Sequence, residues 1–127
     1  NYRIHTDAIK NNLIPKELTS KQMNLVYAEE ADVLNMALFG MTAKEWRESN
    51  PELDGNIRDY TDILHLVVLS NLEVLNANMI ENNISQKDRL EKLNMTAKKQ
   101  ITILANDSNV IGITKLDDKK IIGGINE

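Results

Sequence analysis

Residues 61–82 constrain this chain more than any other stretch. Ile63, Leu64, Leu66, Val67, Val68 and Leu69 form a nearly continuous apolar run, and Leu72, Val74, Leu75, Ala77, Met79 and Ile80 extend it. The segment is long for a strand, and its second half steps by three and four, so the spacing predicts a helix. A helix that is apolar almost all round must be enclosed by others. Residues 61–82 are therefore expected to form the central helix of a bundle. The segment carries Asp62, Glu73 and Glu81 and no Lys or Arg.

The remaining text supplies helices to surround it. Tyr2, His5, Ala8 or Ile9 and Leu13 have helical spacing, and Pro15 stops that helix near Asn12 by pushing its predecessor out of the α region. Thr19 or Ser20 is an N-cap candidate for the next helix. From 21 to 39 one continuous helix is expected, with Met23, Val26 or Tyr27, Ala31, Leu34 and Leu38 on its stripe. Leu25, Val33 and Met36 widen that stripe, and Gly40 ends the helix. Thr42-Ala43-Lys44-Glu45 reads as a capping box starting a short helix from Ala43 to about Ser49. Asn50-Pro51 stops it, Asp54-Gly55 turns the chain, and Asn56 caps one further turn through Asp59.

After the long apolar segment, Asn82-Asn83 breaks the chain and Ser85 caps the last helix. Its stripe is Leu90, Leu93, Ala97, Ile101 and Leu104, which suits one bundle neighbour or an intermolecular seam. The end of the chain is short and β-branched. Val110 to Leu116, the turn Asp117-Asp118 and the following Ile121 and Ile122 read as a small hairpin or a loose tail. The predicted fold class is thus all-α: about five helices within residues 1–107, followed by a hairpin or tail over 108–127.

Composition narrows the function classes. With 15 basic and 19 acidic residues the net charge is −4, without the basic excess of a dedicated polyanion binder. There is no Cys, which removes disulfides and thiolate sites and fits a reducing, cytoplasmic compartment. No apolar run is read as reaching the ~18–20 residues that span a bilayer. The start at Asn1, already structured in appearance, points to a piece of a larger protein.

Catalytic and metal-binding text is missing. The two histidines, His5 and His65, belong to no nucleophile or zinc motif, and the five glycines form no phosphate loop. Glu29, Glu30 and Asp32 form an acidic group that reads as a solvated or ion-paired helix face. His65, inside the apolar run, reads as a hydrogen-bonded core or groove histidine. The expectation is a non-enzymatic protein with no cofactor.

Two groups remain as interaction candidates. Trp46, Arg47, Arg58 and Tyr60 lie in the polar joint between the long helices, and Trp and Arg are residues on which interfaces are anchored. The alternative is internal: an Arg tied to an acid, and Trp46 closing the core. Lys87, Arg89, Lys92, Lys98 and Lys99 make the last helix locally basic and are candidate nucleic-acid contacts; the alternative is a solvated face complementing the acidic segment 61–82. An enzyme or toxin activity using the acidic group or the joint is the third reading.

Several strings in order carry a family resemblance: NYRIHTDAIK from residue 1, EADVLN from 30, ALFGMTAKEWR from 37 and GNIRDY from 55, continuing through Asn71-Leu72-Glu73, Asn76-Ala77 and Asp88-Arg89-Leu90. Together they resemble the region that follows the DNA-binding KilA-N domain in bacterial and phage-related KilA-N proteins. The resemblance covers roughly residues 1–105. It implies an accessory helical module attached to an N-terminal DNA-binding domain that this chain lacks, with a regulatory or host-interaction role for the whole protein. It carries over no catalytic or DNA-reading residues. The expected partners are a second copy of the chain and, through the absent domain, DNA; no membrane is expected.

Overall fold

A computed structural model describes residues 14–106. The expected opening helix and the hairpin or tail both lie outside those residues. Within them are five α-helices and one 3-10 turn: α1 Ser20–Asn24, α2 Glu30–Phe39, α3 Ala43–Ser49, the turn Ile57–Asp59, α4 Ile63–Glu81 and α5 Gln86–Ala105. No strand occurs among the described residues. The all-α expectation therefore holds over this span.

The helix ends follow local chemistry. Thr19 caps α1 through a Thr19–Gln22 capping box, and Thr42 caps α3 through the Thr42–Glu45 box. In each, the cap hydroxyl accepts a backbone N–H three residues on and the later side chain accepts the cap's own N–H, satisfying orphan donors. Gly40 ends α2 at φ +73, donating its N–H to the Met36 carbonyl. Asn56 caps the 3-10 turn and Ser85 caps α5. At the end of α4, Asn83 takes φ +59, its N–H reaches the Ile80 carbonyl and that of Ile84 reaches Met79. This pair of bonds is the Schellman closure, with Asn in the place usually taken by Gly.

Two sequence expectations are corrected. Residues 21–39 are not one helix: residues 25–29 are non-helical between α1 and α2, with Val26 83% exposed. The break is stabilised from outside. Gln86 takes both backbone groups of Tyr27, accepting its N–H at 2.7 Å and donating to its carbonyl at 2.9 Å, while the Tyr27 hydroxyl donates to the Gln22 carbonyl. Tyr27 is thereby buried in the core, and burial, with Glu45 and Asp32 adding to it, pushes its phenol pKa up.

The second correction concerns the centre. α2, not the apolar segment 61–82, is the enclosed helix: Val33, Leu34, Asn35, Met36, Ala37 and Leu38 are all buried. α5 packs on both α2 and α4 through Leu90, Leu93, Ala97 and Ile101, each at most 1% exposed. Burying each of the three large side chains contributes about 1.5–3 kcal/mol. By length and composition α4 also meets the requirement for crossing a membrane, contrary to the sequence expectation. Its Leu64, Val68, Leu69, Leu72 and Met79 are buried within the bundle, while Leu66, Val67, Val74 and Ile80 on its other side are exposed.

Buried polar groups tie these helices together. Arg89 of α5 donates from Nε to the Ile84 carbonyl (3.0 Å), from Nη1 to Asn76 Oδ1 (2.8 Å), and from both Nη atoms to the Glu30 carboxylate. Asn76 of α4 donates to Glu30 as well. One network thus joins α2, α4 and α5. Asn94 of α5 donates to the Ala37 carbonyl at 3.0 Å, in the last turn of α2, where carbonyls lack intrahelical donors.

Candidate functional site

Of the joint residues, Trp46 and Tyr60 come together. Trp46 is 5% exposed and stacks on Tyr60, centroids 5.5 Å apart, while the Tyr60 hydroxyl donates to the Asp54 carbonyl at 2.7 Å. Trp46 is therefore internal and not a surface anchor. Arg58 lies 3.8 Å from Glu73 of α4, and Arg47 stands exposed on α3. The Arg58–Glu73 pair links the joint to α4.

The basic helix is likewise divided. Arg89 is 7% exposed and committed to Glu30, Asn76 and the Ile84 carbonyl, so it cannot serve as a nucleic-acid contact without opening the bundle. Lys87, Lys92 and Lys99 are exposed and Lys98 is half-buried. With ~3.6 residues per turn, Lys87 and Lys98 fall on one side of α5 and Lys92 and Lys99 on another. They do not form a single row facing a phosphate backbone.

The acidic group is also dispersed. Glu30 is bound by Arg89, whose hydrogen bonds hold its carboxyl below the usual range against the opposing effect of burial. Asp32 accepts the Ala43 N–H at 3.1 Å, fastening the start of α3 to α2. Among the described residues no group of three or more His, Asp or Glu is arranged to hold a metal ion.

One cleft of about 440 Å³ is lined by Pro15, Leu18, Phe39, Met41, Ile57 and His65, with further residues of segment 14–19. At its wall, Asp62 Oδ1 accepts the His65 N–H at 2.9 Å and lies 2.7 Å from His65 Nδ1, and Phe39 stacks on the imidazole. Asp62 is the N-cap of α4 and His65 lies in its first turn. The pair builds the start of that helix.

The feature these packing contacts leave over is the outer face of α4. Val74 is 73% exposed, Val67 44%, Ile80 43% and Leu66 37%; Ser70, Ala77 and Glu81 are exposed too and Ile63 half-buried. Ile63, Val67, Ser70, Val74, Ala77 and Glu81 are separated alternately by four and three residues, so they form one seam along the helix, with Leu66, Glu73 and Ile80 on its flank. Glu73 there is matched by Arg58. Among the described residues α4 thus has two apolar sides, one used by α5 and one exposed. From the sequence, the excess of apolar residues on 61–82, and on 21–39, supports both a central helix and a dimer or higher oligomer. No family model matches the chain, and neither a curated protein nor a solved structure is significantly similar to it.

Proposed function

We propose that this chain is a self-association module: the accessory helical part of a KilA-N-type, phage- or mobile-element-related DNA-binding protein, acting without chemistry of its own. The observation that carries the self-association is the seam of α4 left exposed among the described residues. Apolar side chains left in a continuous helical row on a folded domain mark an interaction surface, because covering them removes apolar area from water. The seam also lacks any Lys or Arg. That makes it a poor surface for a nucleic-acid backbone and an ordinary one for another protein.

The attachment to a DNA-reading domain rests on the strings quoted above. The functional sense of joining the two parts is that association of the accessory module doubles the DNA-reading surface. Two tethered domains bind paired half-sites with an effective concentration set by their linkage. Light scattering over a dilution series from high to low micromolar tests the self-association. The expected result is a mass above the 14.4 kDa of one chain that falls toward it on dilution. A mass of 14.4 kDa throughout, or binding of a monomer to lipid vesicles, would overturn the reading.

A further inference from the structure

The self-association reading leaves open how two copies meet, and the seam of α4 carries that information. We infer that two copies pair through α4 antiparallel, about a two-fold axis level with Leu72, so that Val67 and Val74, the two exposed large seam residues, each meet a small one. This inference rests on the self-association reading and specifies its geometry.

The register follows from the side chains. In an antiparallel pair centred at Leu72, Val67 faces Ala77 of the second copy and Val74 faces Ser70, each contact occurring twice by symmetry. Alternating large and small residues across a helix pair lets the layers interdigitate. On the flank, Leu66 of one copy meets Ile80 of the other, so the two remaining exposed large residues of the face cover each other. The two Glu73 side chains approach at the centre of the flank, and each already has Arg58 beside it. At the ends, Glu81 of one copy lies by the first turn of the other copy's α4, where the helix dipole favours a negative charge.

The parallel alternative fits less well. It sets Glu81 against Glu81, Val74 against Val74 and Ser70 against Ser70, leaving a clash of like charge and a void in alternate layers. It also places Leu66 opposite Asn71 on the flank. An isologous two-fold contact closes on itself and yields a dimer, not an open chain.

The chain has no Cys, so introduced cysteines report without background. The variants S70C and V74C, each on the full chain, are prepared separately, equilibrated as a one-to-one mixture, oxidised and read on a non-reducing gel. The antiparallel register predicts a covalent dimer from the mixture and little from either variant alone. Positions 70 and 70 of the two copies would be offset by about 6 Å along the axis, given a rise of ~1.5 Å per residue. Added to the separation of the helices, that exceeds the ~7 Å Cα reach of a disulfide. Cross-linking of each variant with itself would overturn the register and indicate parallel pairing, while the self-association stands. A light-scattering dimer with no cross-link in any sample would place the contact on another face and overturn this inference. A monomer by light scattering would remove both.

Discussion

Replacing Arg89 by Ala should destabilise the bundle by about 2–3 kcal/mol, below the ~3–5 kcal/mol of breaking a fully buried ion pair. The change strips the Ile84 carbonyl and Asn76 Oδ1 of their donor and leaves the Glu30 carboxylate without its cation. Glu30 is 43% exposed at its side chain, so water re-solvates it and the electrostatic part is discounted. Asn76 lies deeper, at 4% exposed, and an unsatisfied buried group costs roughly 1–3 kcal/mol, whereas Ile84 is 39% exposed and adds little. Urea unfolding at pH 7, followed by circular dichroism, measures the sum. A loss under about 0.5 kcal/mol, the range of an ordinary surface substitution, would refute the assignment of Arg89 as an internal tie. The same pair fixes a pH dependence. Arg89 lowers the Glu30 carboxyl in the folded protein, so its stabilisation is complete above the unfolded value of about 4.3 and is lost as pH falls through the lower folded value. Glu30→Gln should therefore make the acid limb of the stability profile shallower than in the wild type.

Three further outcomes are expected. Asn94→Ala should cost about 1–3 kcal/mol, because the Ala37 carbonyl loses its buried donor; a melt equal to wild type would deny that role. Gly55→Ala should destabilise by about 1 kcal/mol or more. Gly55 has φ +90, and a Cβ there would come 2.4 Å from Asp59 Oδ2, which is engaged with the Asn56 N–H; an unchanged urea midpoint would contradict this. Thr42→Ala should cost about 1 kcal/mol through loss of the α3 cap, and Thr42→Ser much less.

What could be read in the sequence was local. Gly40, Thr42, Asn56 and Ser85 act within a few residues of themselves, and their chemistry gives helix ends wherever the chain is folded. The stripe Leu90, Leu93, Ala97 and Ile101 was equally plain, because a single packing face leaves a single period. The break at 25–29 was not, since no Gly or Pro marks it and its cause is Gln86, 59 residues from Tyr27. Arg89 misled because charge counts do not distinguish an exposed cation from a buried one. Its spacing of four from Leu93 puts it at the edge of the buried stripe, which was the available signal. Asn76 and Asn94 were overlooked although each stands in a buried register, four after Leu72 and four after Leu90. The double-sided apolar character of α4 was visible, but the pattern alone gives no way to tell an enclosed helix from one with an outward face.

The central claim is that the outer face of α4 joins two copies of the chain. Sedimentation velocity on the wild type and on Val74→Glu at matched micromolar concentration tests it most directly. Val74 is 73% exposed, so the substitution should leave the helical circular dichroism and melting of the dissociated chain unchanged. The account predicts a wild-type species of about twice the chain mass and a folded Val74→Glu monomer. A wild-type monomer, or a Val74→Glu dimer sedimenting as the wild type does, would contradict it.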